Sequence, residues 1–164
     1  MNSSATTSVS QLLRDAGFFS DLDDADLAKV AGIAAVEDRA AGEVIFKEGG
    51  RNNNLYFVIA GAAALEMHVP RRGTTRILTV GPGQLLAWSA LLGDATMTAT
   101  AVSQPGLRMV AIVADDLKTL CDSDHDVGYS VMQQTAKSLS RRLLATRLQL
   151  LDLFTETDST KYDG

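Results

Sequence analysis

The sequence predicts a mainly β domain with flanking helices (α+β), a β-roll or jelly-roll with helices before it and one long helix after it. Between residues 36 and 113, short apolar and β-branched runs alternate with glycine, proline and asparagine turn signals. After Asp115 the pattern changes to apolar residues spaced three and four apart, which is typical of a helix. The 164 residues suffice for one domain with a good core and are too few for two of ordinary size.

The amino-terminal part predicts an extension followed by a helix. Residues 1–17 form the predicted extension, Ser/Thr-rich at its start, with one or two helical turns over residues 11–16. Asp23 is a suitable helix cap, and acidic residues fill the turn after it. Leu22 and Leu27 have the spacing of a hydrophobic staple, so a helix is predicted from this point to about Ala34.

The β-roll is predicted over residues 36–113 as a series of short strands. These strands are Glu43–Phe46, Leu55–Ala60, Ala62–Val69, Arg76–Val80, Met97–Val102 and Arg108–Val113. Residues 49–54 have the composition of a loop, and residues 71–73 are typical of a hairpin tip. Many short strands joined at glycine corners favour a closed roll or a sandwich.

The stretch of residues 81–102 interrupts this pattern. It begins with a Gly-Pro-Gly turn, continues as an apolar run from Leu85 to Leu92, and breaks at Gly93-Asp94. We expect the apolar run to form a short helix held between two strands. Its first backbone N–H groups would be a natural place for an anion.

A long helix is predicted over about residues 125–154, with a polar tail at residues 155–164. An apolar seam recurs along it with the spacing of a coiled coil. The seam residues are Tyr129, Met132, Ala136, Leu139, Leu143 and Leu150. At 1.5 Å per residue such a helix is roughly 40 Å long, too long for the roll to cover. The seam therefore requires a partner.

Several sequence blocks occur in a characteristic order. They are AGEVIFKEG from Ala41, LYFVIAG from Leu55, LTVGPG from Leu78, residues 81–102, and RMVAI from Arg108. In this order they resemble the cyclic nucleotide-binding domain of the catabolite-activator and FNR-type regulators, over residues 18–154. The resemblance implies a β-roll, a phosphate-binding cassette at residues 81–102, and a C-helix that pairs two subunits. We therefore expect a parallel homodimer through the seam.

The same resemblance bears on the output of the protein. In transcription-factor relatives a helix-turn-helix domain follows the C-helix, whereas only residues 155–164 remain here. The implied protein is a stand-alone domain that does not bind DNA directly. The net charge of −5 and the pI near 4.9 also argue against a nucleic-acid surface, which is usually basic.

The predicted ligand pocket differs from the family pattern in its chemistry. The pocket residues, by position in the cassette, are Leu85, Leu86, Ala87, Trp88, Ser89, Met97 and Thr98. The family's Gly-Glu pair falls at Ala87 and Trp88, and its Arg-Ser or Arg-Thr pair at Met97 and Thr98. The carboxylate for the ribose hydroxyl and the guanidinium for the cyclic phosphate are both absent. We therefore predict a degenerate cassette that does not bind cyclic AMP or cyclic GMP in the usual way.

Three functions follow as hypotheses. The first is a non-enzymatic sensor that binds an unknown small-molecule effector or a protein partner and signals through the C-helix. The second is a structural interaction module in which Trp88 and the neighbouring leucines fill the pocket permanently. The third is a genuine cyclic nucleotide-binding protein with unorthodox contacts. Arg141 and Arg142 lie on the long helix, where an effector in this fold could approach, but they are expected to belong to a solvated face.

Composition excludes several other classes of protein. The single cysteine, Cys121, excludes an internal disulfide and a four-cysteine metal site, and two histidines leave little for a transition metal. No metal, cofactor or catalytic triad is predicted. No apolar run approaches the roughly 20 residues of a membrane span. The amino terminus lacks a secretory signal pattern, so we expect a cytoplasmic protein without membrane contact.

Overall fold

Two four-stranded antiparallel sheets form the body of the domain in the computed structural model, which describes residues 7–159, with side chains through Thr155. The helices are α1 (Val9–Asp15), α2 (Asp24–Gly32), α3 (Ser89–Leu92), α4 (Ala114–Ser123) and α5 (His125–Ser159). The strands are β1 (Ala34–Arg39), β2 (Val44–Phe46), β3 (Asn54–Ala60), β4 (Ala63–Val69), β5 (Gly73–Val80), β6 (Leu85–Leu86), β7 (Thr100–Ser103) and β8 (Leu107–Val113). The orders are β1-β8-β3-β6 and β2-β7-β4-β5. The predicted fold class is confirmed.

Strand β3 shows how the two cores are built. Successive side chains of a strand point to opposite faces of its sheet. Leu55 and Phe57 therefore lie in a core between the first sheet and the helices, whereas Tyr56 and Val58 lie in a second core between the two sheets. All four are at most 2% exposed. A strand buried on both faces needs a continuous apolar run, which this segment has.

Helices α1 and α2 close the outer side of the first sheet. Asp23 caps α2 as predicted, its carboxylate accepting from Asp26 N–H at 2.8 Å. Leu13 of α1 is fully buried, and the Phe18 and Phe57 rings meet edge to face at 4.9 Å. The later half of the predicted N-terminal extension thus packs into the core, and residues 1–6 lie outside the described residues.

Several predicted element bounds are wrong, and the strands expected to begin at Arg76 and Met97 begin at Gly73 and Thr100. The helix expected to continue to Ala34 ends at Gly32, and Ala34 begins β1. Strand β1 pairs along its whole length with β8, and Asp38 forms an ion pair with Arg108 at 2.8 Å. Its sequence, AAVEDR, contains only one β-branched residue. Its strand conformation therefore depends on this pairing, which local sequence does not reveal.

Hydrogen bonds of Asp124 fix the start of helix α5, whereas the later part of the helix is largely exposed. Asp124 accepts from the N–H groups of Asp126 and Val127 at 3.1 and 3.2 Å and from Lys29 Nζ at 2.6 Å. The helix extends to Ser159 instead of ending near residue 154, so the predicted polar tail begins inside it. Residues 160–164 lie outside the described residues. No helix in the described part of the chain combines the length and apolar character of a bilayer span.

Gly61 is predicted to be the least replaceable glycine of the roll. Its φ is +70°, and an added Cβ would lie 2.5 Å from the carbonyl oxygen of Gly106. Gly73 has φ +74° but open space around it, so it is a matched control. In urea unfolding, Gly73→Ala should lose about 1–2 kcal/mol for the left-handed backbone. Gly61→Ala should lose at least about 1 kcal/mol more for the clash; equal losses would contradict the close approach.

Candidate functional site

The cassette segment has a shorter helix than its sequence predicts. Leu85 and Leu86, expected at the start of the helix, form strand β6 and pair with Phe57 and Tyr56 of β3. Leu85 enters the core beneath the helices and Leu86 the core between the sheets. Because an extended pair places two successive leucines on opposite faces, both cores gain a buried side chain. The helix itself, α3, contains four residues.

The turn from β6 into α3 depends on an unusual backbone. Ala87 has φ +66°, a conformation that favours glycine. This is the position to which the family resemblance assigns a glycine. Two of the N–H groups in the first turn of α3 are already used, since Ala90 donates to the Ala87 carbonyl and Leu91 to the Trp88 carbonyl, both at 3.0 Å. The anion site expected there from free N–H groups has correspondingly few donors.

A small cavity lies beside α3, at the position of the predicted pocket. Its volume is only about 30 Å³, close to the space of one water molecule. Six of the seven predicted pocket residues line it, namely Leu86, Ala87, Trp88, Ser89, Met97 and Thr98. The Leu85 side chain is absent from this lining because it points into the other core. Met97 is only 3% exposed and lines the cavity together with Phe46 and Leu65.

A larger cavity of about 360 Å³ adjoins the small one, between the second sheet and α5. Its apolar wall consists of Leu65, Met67, Ile77, Leu78, Trp88 and Ala99. Thr98, Arg142, Thr146 and Gln149 provide the polar part. Among the described residues that line either cavity, Arg142 is the one with a charge. A volume of this size lies within the usual range of small-molecule pockets.

Arg142 occupies the junction of the cavities. Its Nη2 donates to the Leu85 carbonyl oxygen, which links α5 to β6. None of the ion pairs found among residues 7–159 includes Arg142. Desolvation lowers the pKa of its guanidinium to about 10, which leaves it cationic at neutral pH. The charge is therefore partly buried without a carboxylate to balance it.

Sequence reasoning placed Arg142 on a solvated helix face, and that expectation is wrong. A signal for its true position was present. The inward face of α5 recurs at spacings of four and three residues through Val131, Thr135, Ser138, Arg142, Ala145 and Gln149. The first three are buried, Arg142 lines both cavities, and Gln149 donates to a strand carbonyl. Ala145 lines a further small cavity of about 40 Å³. Because most of these side chains are polar or small, an apolar periodicity search does not detect them.

The predicted seam lies on the opposite, outward face of α5. Tyr129, Met132, Leu143 and Leu150 are 66%, 42%, 54% and 50% exposed. Ala136 is also exposed, and Leu139 is intermediate. The structure therefore separates the predicted pocket from the predicted seam, which share one helix but use different faces of it.

The distal half of α5 rests on the roll through few contacts. No residue from Leu139 to Thr155 is buried, whereas Val127, Ser130 and Thr135 are. Gln149 Nε2 donates to the Ile77 carbonyl oxygen of β5 at 2.8 Å. Arg142 and Gln149 both line the larger cavity, so two side-chain hydrogen bonds connect the helix to the roll beside it.

Comparisons with known proteins agree with this architecture. The CRP-like cAMP-activated global transcriptional regulator of Mycobacterium tuberculosis is 25% identical over 144 residues, which are 87% of this chain and 62% of that protein. This chain thus spans less than two thirds of that relative's length.

Solved structures give the same result. A cyclic nucleotide-binding domain from Methylobacillus flagellatus superposes with a TM-score of 0.76 at 16% identity, over 88% of this chain and 82% of that one. The N-terminal domain of a transcriptional regulator from Streptomyces coelicolor superposes with a TM-score of 0.66 at 25% identity, over 82% and 94%. The profile of the cyclic nucleotide-binding domain matches residues 37–124, more than half of the chain. The chain therefore belongs to the cyclic nucleotide-binding domain family.

Proposed function

We propose that the domain is a non-enzymatic regulatory module that couples the occupancy of the cavities beside α3 to the position of α5. The observation that supports this most is the hydrogen bond from Arg142 to the Leu85 carbonyl. Arg142 lies on α5, which carries the exposed seam, and Leu85 belongs to the cassette, so this bond connects the two. A ligand shifts such a helix only if it binds two arrangements with unequal affinity. The regulatory relatives in the family support the absence of catalysis.

We further propose that the cassette does not hold a cyclic nucleotide in the usual way. The small cavity beside Met97 holds only about 30 Å³. Trp88 offers no carboxylate to a ribose hydroxyl, and the thioether of Met97 offers no donor to a phosphate. One lost hydrogen bond to a charged group costs about 3 kcal/mol at most, or roughly a hundredfold in affinity.

Titration with cyclic AMP and cyclic GMP tests this directly. We expect no saturable heat in calorimetry and no rise in the unfolding midpoint at micromolar ligand. A ligand that binds the native state must raise the midpoint by mass action. Saturable stabilisation by either nucleotide at micromolar concentration would contradict the degenerate cassette and favour binding through unorthodox contacts.

We also propose that α5 pairs with a second copy of this chain to form a parallel homodimer. The seam places four large side chains, each more than 40% exposed, along one face of a helix that the roll does not cover. A surface of this kind normally marks an interaction site. Its spacing of three and four residues is that of a coiled-coil interface.

Light scattering on charge variants tests the dimer. Leu143→Glu places a charge in the seam on each helix, where like charges repel at close range, so the mass should fall from dimer to monomer. Lys137→Glu is the control, because Lys137 is exposed on α5 outside the seam. A wild-type mass equal to one chain, or an unchanged dimer in Leu143→Glu, would contradict the proposal.

A second candidate function is a structural module with a permanently filled pocket. The observation that favours it is the packing of Trp88 against the core beneath the helices while it also walls the small cavity. Trp88 would then act as a plug.

Replacement of the indole measures this role. If Trp88 is a plug, Trp88→Ala should lower the free energy of unfolding by about 3 kcal/mol or more, because it leaves a large cavity. Thr98→Ala is the control, since Thr98 lies on the same wall but is exposed. A loss below about 1 kcal/mol for Trp88→Ala would contradict the plug and leave Trp88 as the wall of a usable pocket.

A further inference from the structure

We infer that the larger cavity under α5 binds a small amphipathic anion, with its carboxylate or phosphate on Arg142 and its apolar body against the second sheet. This inference rests on the proposed regulatory function and specifies the chemical class of its effector.

The first argument is the charge of Arg142. A guanidinium has five N–H donors, and the Leu85 carbonyl accounts for one of them. No acidic residue within the described part of the chain forms an ion pair with it. Burial lowers the pKa of the group, which reports the cost of a charge removed from water without a counter-charge. An anion in the cavity would supply that counter-charge and use the remaining donors, often in pairs.

The second argument is the rest of the lining. Six of the ten lining residues are apolar, and they include the Trp88 indole. Two of the polar ones are already committed, since Gln149 donates to the Ile77 carbonyl and Thr146 to the Arg142 carbonyl at 2.9 Å. A polar, many-hydroxyl ligand would therefore find few partners there. A ligand with one charged head and an apolar body matches one cation on an apolar wall.

The third argument concerns the position of the positive charge relative to the cassette. In the family resemblance the phosphate is held by residues at the positions of Met97 and Thr98. Here Met97 is buried and contributes no charge, and the small cavity beside it holds about 30 Å³. The charged residue that lines the cavities is instead Arg142 of α5, and the adjoining cavity of about 360 Å³ lies beside it. The anion would thus be bound by the helix that moves and not by the cassette alone.

At this position a bound ligand would affect how α5 packs on the roll. An anion on Arg142 would lie between the two side-chain bonds that tie the distal helix to the roll. If the anion binds only when Arg142 points inward, it must stabilise the docked arrangement of the helix.

Trp88 is a built-in reporter for the test. It is the only tryptophan of the chain and lies in the wall of the cavity. The full chain is titrated with octanoate, octyl phosphate and octanol while Trp88 fluorescence is recorded. The three probes share one apolar body and differ in the head group. We expect at least one of the two anions to bind roughly tenfold or more tightly than octanol; the stronger anion identifies the head group.

Variants assign this preference to Arg142. Arg142→Gln should reduce the preference for the anion to about onefold, and Arg142→Lys should retain part of it. Arg141→Gln is the matched control, because it removes the same charge from the exposed neighbouring position. Retention of the tenfold preference in Arg141→Gln and its loss in Arg142→Gln would support the proposal. Circular dichroism of each variant verifies that it is folded.

Two results would overturn the inference. One is a Trp88 response that is the same for the anions and octanol, or absent for all three probes. The other is an anion preference that survives in folded Arg142→Gln. Neither result would overturn the proposed dimer or the degenerate cassette, which the seam variants and the cyclic nucleotide titrations test separately.

Discussion

A hydrogen bond from the Arg142 guanidinium to the Leu85 carbonyl joins the long helix α5 to the cassette segment. Leu85 belongs to a buried two-residue strand at the edge of the first sheet, whereas Arg142 belongs to the long helix α5. The bond is formed by a cation that is partly withdrawn from water and lacks a carboxylate partner among the described residues. Such a charge is costly alone and is stabilised by any anion that reaches it.

Helix α5 accommodates this arrangement because its two faces have different chemistry. The side chains on the inward face are polar or small from Thr135 onward. They can therefore donate hydrogen bonds to backbone carbonyls of the roll and line a cavity without filling it. The outward face keeps the large apolar residues, which the roll does not cover. The anchor at Asp124 and Lys29 fixes the start of the helix. Movement is therefore expected mainly beyond Ser138, where no side chain through Thr155 is buried.

Much of the fold could be predicted from the sequence, because its strands have strong local signals. The apolar run of β3 and the Asp23 cap correspond directly to the structure. Strand β1 was missed because its conformation depends on pairing with a distant strand. The start of the cassette helix was misplaced because an apolar run such as Leu85-Leu86 is compatible with helix or strand until its partner is known. Arg142 was missed because the surroundings of a charge are set by tertiary packing.

Amide hydrogen exchange along α5 is the most direct test of the central claim. If the Arg142 link holds the distal helix to the roll, Arg142→Ala should speed exchange at residues 139–153 and leave residues 127–138 unchanged. Uniform acceleration along the helix would instead indicate general destabilisation. Unchanged exchange at residues 139–153 would contradict the account, because the cavity and the helix would then be independent of the bond that is proposed to couple them.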